Sequence, residues 1–108
     1  MAAIFCYVTA DSRAQALAIG RRIVEERLAA CANVLDGMTS IYWWQDALEQ
    51  ASEAVLILKT RAELVERLTA RIKELHSYDC PCVVALPIAA GNPAYLDWIA
   101  RETAPAST

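Results

Sequence analysis

Two stretches of this chain are apolar without alternation: AVLILK at residues 54–59 and CVVALPIA at residues 82–89. In an antiparallel sheet with one wet face, successive side chains point to opposite faces, so such strands alternate apolar and polar. These two do not, and a sheet that contains them needs cover on both faces. A chain of 108 residues is one domain with one core. The deciding quantity is therefore how many helices it has to cover that sheet.

The punctuation of the sequence supplies that number. Residues 3–9, AIFCYVT, form a short apolar first strand. Ser12 and Gln15 suit a capping box. It opens a helix over residues 13–30, with Leu17, Gly20, Val24 and Leu28 on one face and Arg21, Arg22, Glu25 and Glu26 largely on the other. Residues 31–45, CANVLDGMTSIYWWQ, are β-prone and broken by Asp36-Gly37, a bend or bulge. A tight turn near Gln45–Ala47 returns the chain along residues 47–60 as a hairpin. Thr60 and Glu63 read as a second capping box, ahead of a helix whose Leu64, Leu68, Ile72 and Leu75 share a face. Residues 80–89 are the last strand. Asn92-Pro93 is a cap with proline at the first helical position of a short final helix over residues 93–102.

The order β-α-β-β-α-β-α predicts an α+β fold, a ferredoxin-like βαββαβ sandwich with an extra C-terminal helix. Its sheet is antiparallel, with a long hairpin between the second and third strands and two helices on one face. The other face is left bare and apolar, an unusually large exposed patch for a monomer. Self-association, sheet face against sheet face, is the expected remedy. The single domain spans residues 1–108, with about 103–108 as a frayed tail.

Composition limits the partners. The chain is 56% apolar with a net charge of −3 from ten basic and thirteen acidic residues, well interspersed. A nucleic-acid partner needs a basic footprint that is missing here. No apolar run approaches the roughly 18 residues of a membrane span, and the first residues lack the basic and apolar regions of a secretory signal. Cytoplasm is the expected compartment, without membrane or nucleic acid. The four cysteines, Cys6, Cys31, Cys80 and Cys82, form no CxxC pair, which leaves a zinc ribbon or thioredoxin-type motif unsupported. Free thiols in a reducing compartment are the expectation.

Six segments, in order and at fitting spacings, carry a family likeness: VEERLAACANV (24–34), SIYWW (40–44), LILKTR (56–61), LHSYDCP (75–81), ALPI (85–88) and GNPAYLDWI (91–99). Together they resemble the CutA family, the divalent-cation tolerance proteins. The resemblance implies a ferredoxin-like fold, a cytoplasmic protein and a tight homotrimer whose long hairpins wrap the neighbouring subunit. It also implies response to metal ion, with copper or another divalent metal ion as the candidate ligand and no cofactor required. The turn QDALE, the His-Ser-Tyr triplet and the Cys-Pro-Cys spelling depart from the family's usual pattern.

The candidate site residues follow. Cys31, in LAACAN, is where the resemblance associates cysteine with copper binding. Thiolate suits Cu(I) and imidazole Cu(II), and the sole histidine, His76, is the second metal candidate. The same residues have structural readings: Cys31 as a small buried side chain and His76 as a cap on helix-terminal carbonyls. Cys80 and Cys82 would share one face of a regular strand, about 7 Å apart at a rise of about 3.3 Å per residue. In SIYWW, alternation sets Tyr42 and Trp44 opposite Ile41 and Trp43, either as interface anchors or as a ligand platform. Lys59 ends an apolar strand and needs a partner, for which Glu49 and Tyr78 are the candidates. The five residues Tyr42, Trp44, Glu49, Lys59 and Tyr78 make a candidate ligand or interface cleft for a small anion.

No catalytic residues are identified. The chain has no serine–histidine–acid set, Gly-rich phosphate loop or HExxH, nor an acylphosphatase-like loop, and it is read as a non-enzyme. The leading reading is a CutA-like divalent-cation tolerance trimer. The alternatives are a small-molecule or anion-sensing signalling trimer of nitrogen-regulatory-protein-like architecture, and a structural trimeric scaffold.

Overall fold

The computed structural model describes residues 2–103. Four strands, β1 (Ala3–Ala10), β2 (Cys31–Trp44), β3 (Ala47–Arg61) and β4 (Val83–Pro87), form one sheet in the order β2-β3-β1-β4. Every pairing is antiparallel. The helices are α1 (Arg13–Glu25), α2 (Val65–Leu75) and α3 (Pro93–Glu102).

The first helix starts where the sequence places it. Ser12 is the N-cap, its hydroxyl accepting from the Gln15 backbone N–H, while the Gln15 side chain accepts from the N–H of Asp11. The end and the face differ from expectation. The helix stops at Glu25 because Arg27 takes a left-handed conformation, φ 62°. The Arg27 N–H then donates to Val24 O and the Leu28 N–H to Ile23 O, the paired bonds of a Schellman end. The core face is Ala16, Ile19, Gly20 and Ile23, whereas Leu17 is 43% exposed. Gly20 is needed for close approach: a Cβ there would stand 3.0 Å from Leu56 and 3.1 Å from Ala32.

The hairpin is as long as expected. Its register shifts between Leu35 and Met38 at Asp36-Gly37, with Gly37 at φ 79°. It closes through Gln45 and Asp46, both at positive φ, the requirement of the two-residue turn that matches strand twist. Past Ala54, the partner of Ala10, β3 has only β2 beside it. Among the described residues, the distal hairpin is a two-stranded ribbon. Isolated ribbons of this kind are marginal in water.

The second capping box does not form. Thr60 is fully buried and its hydroxyl donates to Leu28 O, so a short 3-10 turn, Ala62–Leu64, leads into α2 with no side-chain cap. Leu64, Leu68 and Ile72 of this segment pack with α1 against Cys6, Val8, Leu56 and Leu58 of the sheet. Burying a leucine of this kind stabilises the fold by about 2–5 kcal/mol relative to alanine. The last strand is shorter than expected and excludes Cys80 and Cys82. Asn92 caps α3 by accepting from Ala94 N–H, with Pro93 at the first turn. Thr103 is buried and donates to Ile99 O; the rest of the expected tail lies outside the described residues.

On the sheet face away from α1 and α2, the register aligns Phe5 with Lys59 and Leu86, and Tyr7 with Ile57 and Val84. Helix α3 covers only the end of that face, packing Leu96, Trp98 and Ile99 against Ala3 and Ala30. Val84 and Leu86 stay 48% exposed and Leu35 57%. The bare apolar face inferred from AVLILK and CVVALPIA is present.

Candidate functional site

Two regions of the open face hold the sequence-predicted residues, at opposite ends of the strands. At the α3 end, Cys31 opposes Lys59 across β2 and β3. The half-buried Cys31 thiol lies 3.5 Å from the Tyr95 hydroxyl. Lys59 donates to Asn33 Oδ1 at 3.0 Å and stands 5.6 Å from the centre of the Tyr95 ring. Its partners are thus Asn33 and Tyr95 rather than Glu49 or Tyr78. Sequence reasoning misses Tyr95. Its place follows from Asn92 capping α3, which sets Tyr95 in that helix's first turn.

The other end holds a cleft of about 800 Å³ whose lining includes Tyr7, Thr9, Met38, Tyr42, Trp44, Glu53, Tyr78, Asp79, Cys80 and Cys82. Tyr42, Trp44 and Tyr78 all line this cleft. Lys59 and Glu49 do not line it. Glu49 is exposed on the ribbon opposite Tyr42. The carboxylate that meets Tyr78 is Glu53, 8% exposed, accepting from the Tyr78 hydroxyl at 2.7 Å. Burial, then the Glu53 carboxylate, raises the Tyr78 phenol well above its usual range, so it remains a donor. Sequence spacing does not show this pair, because Glu53 lies on β3 and Tyr78 in the loop between α2 and β4, and only the fold brings them together.

His76 holds the loop that walls the cleft. It is buried, with Nε2 2.7 Å from Thr9 O and Nδ1 accepting from the Tyr78 N–H at 3.1 Å. This pattern fits the tautomer protonated on Nε2. The ring binds a carbonyl of β1 rather than the terminal carbonyls of α2. Both nitrogens are engaged, and His76 is at the end of the sheet away from Cys31, so the two metal candidates are not brought together. Among the described residues, no three His, Cys, Asp or Glu side chains form a metal-holding group.

The thiols differ in environment. Cys6 is fully buried, and burial pushes its thiol up to about 11. Burial also raises the Cys82 thiol, with a further rise from the Glu53 charge. Cys80 is exposed. Cys80 and Cys82 line the cleft from the loop before β4 rather than from a regular strand.

These features define a class: an antiparallel α+β protein with a long projecting ribbon and a polar-aromatic cleft on an otherwise apolar sheet face. The model of the CutA1 divalent ion tolerance protein family matches residues 4–102, and the chain belongs to that family. It is 46% identical over 96 residues to the divalent-cation tolerance protein CutA of Thermus thermophilus, covering 89% of this chain and 93% of that protein. It is 41% identical over 100 residues to the chloroplastic CutA 1 of Oryza sativa, covering 93% of this chain. The chain spans 56% of that relative, and about half the length of the mouse and human CutA proteins it also matches. The crystal structure of CutA1 from Oryza sativa superposes with a TM-score of 0.94 at 39% identity, covering 96% of this chain and 95% of that one. The solved structure of the Thermus thermophilus protein gives 0.92 at 43% identity, covering 94% of this chain and 99% of that one.

Proposed function

We propose that the chain is a non-enzymatic, ferredoxin-like homotrimer of the cytoplasm that contributes to divalent-cation tolerance and binds copper or another divalent ion through Cys31. The family match supports the tolerance role, and strand order β2-β3-β1-β4 supports the ferredoxin-like assignment. The trimer rests on the open face and on the ribbon, where Ile41, Trp43 and Leu48 are 61–73% exposed. A neighbouring chain that supplied a third strand and an apolar face would cover both.

The observation that carries the metal reading is the accessibility of Cys31: a half-buried thiol on the open face, while Cys6 is sealed in the core. One chain offers one soft donor there, so other subunits would complete the ligand set. In a Cu(I) titration followed by equilibrium dialysis, Cys31→Ser weakens binding more than replacing both Cys80 and Cys82. Loss of binding only in the double variant would move the site to the cleft.

A second reading, small-molecule sensing, is favoured by the cleft itself, whose volume suits a small ligand. Its charge differs from the one expected: among the described residues, the lining has two carboxylates and no Lys or Arg. An anion therefore has no counter-charge there.

A further inference from the structure

We infer that the cleft between the ribbon and the 76–82 loop recognises an organic cation, an ammonium or guanidinium group, with Glu53 as its counter-ion. This rests on the reading of the cleft as a binding site and names the chemistry it takes. A carboxylate removed from water is costly unless paired, and pairing normally means an opposite charge together with hydrogen bonds. Glu53 is 8% exposed. It has one hydrogen bond, from the Tyr78 hydroxyl to Oε2, and among the described residues it has no ion pair. Its second oxygen, Oε1, has no donor among the described residues and opens on the cleft rather than being sealed from water. Among the described residues, the cleft lining carries no Lys, Arg or His to supply one, and adds Asp79 as a second negative charge.

The walls suit the same occupant. Tyr7, Tyr42, Trp44 and Tyr78 line the cleft with Glu53, and aromatic faces attract ammonium and guanidinium groups, most strongly where the site is desolvated. A charged hydrogen bond to carboxylate fixes the head group, and the rings take its alkyl body. Tyr78, held by His76, positions the carboxylate. Free phosphate or nucleotide would meet two like charges. A bare divalent ion would find no third ligating side chain grouped with these two.

The cation has two possible sources, a free small molecule or a lysine or arginine of a second copy of this chain, and one experiment separates them. The purified chain is titrated at constant ionic strength with choline and with putrescine. Inorganic phosphate and magnesium serve as controls, read by tryptophan fluorescence and thermal shift. Saturable binding of choline or putrescine, lost in Glu53→Gln and weakened at least several-fold in Tyr78→Phe, is the expected result for a free cation. If neither probe binds but Glu53→Gln lowers the association constant of the chain while keeping its circular dichroism, the cation comes from a second copy. Should Glu53→Gln fail to fold, Tyr78→Phe carries both readouts. Saturation by phosphate alone would overturn the cation assignment while keeping the cleft as a binding site. No binding of any probe, with assembly unchanged in the variants, would overturn both.

Discussion

Arg27 occupies a backbone conformation that glycine adopts without penalty, φ 62° at the end of α1. A non-glycine residue there costs on the order of 1 kcal/mol, and its surface ion pair with Glu102, at 3.3 Å, returns less than about 1 kcal/mol. Arg27→Gly should therefore raise the urea midpoint slightly; a clear fall would mean that the Glu102 contact outweighs the strain. The helix end was illegible in the sequence for this reason, because no glycine marks it. Next to it, Glu26 accepts a two-pronged contact from Arg71 of α2, at 3.0 Å to each oxygen, and a longer one from Arg22. The Arg71 hydrogen bonds, and secondarily those of Arg22, hold its carboxyl below the usual value of 4.5. A depressed folded value stabilises the fold above the unfolded value, so this contribution is complete at neutral pH. It is lost as pH falls below about 4.5 through the folded value. Stability curves of wild type and Glu26→Gln should thus converge in acid and separate above it. A constant gap across pH 3 to 7 would show that Glu26 acts by packing rather than by charge.

At the scale of elements, hydrophobic period and caps made most of the fold readable. Ser12 and Asn92 cap as their residue types dictate, and the hairpin turns through Gln45 and Asp46 within the stretch the sequence marks. Thr60 misled because a threonine before a helix also suits a buried strand end, and tertiary packing gave its hydroxyl to Leu28 O instead. Of the candidate cleft, Tyr42 and Trp44 were legible as bulky residues on a ribbon, whereas Tyr78 reads from the sequence as a hydroxyl partner for Lys59 and in the fold gives that hydroxyl to Glu53. Lys59 and Glu49 were misplaced because a strand's residues separate by about 3.3 Å each, and the cleft lies several residues along from Lys59. Trp44 is 52% exposed at the cleft rim on the two-stranded ribbon. As an interface anchor it should lose about 3–5 kcal/mol per copy on truncation, as core aromatics do. Trp44→Ala is expected to lower Tm sharply and shift the chain toward monomer or aggregate. An unchanged Tm with an intact assembly would assign Trp44 to ligand contact alone.

For the whole molecule, the first inference from the sequence, that two non-alternating strands need cover on both faces, accounts for the largest feature left open by the single chain. Helices α1 and α2 occupy one face and α3 reaches only the end of the other. The long axis, 43 Å against 28 and 23 Å, belongs to a chain with a projecting ribbon, a shape with little reason to persist alone in water. The sequence could announce the bare face because burial is written into composition. The identity of what covers it is set by shape, which composition does not carry. Sedimentation equilibrium at micromolar concentration tests the trimer most directly. The account predicts a single species of three times the 11.9 kDa chain mass. A stable monomer, with Val84, Leu86 and the ribbon aromatics left in water, would contradict it.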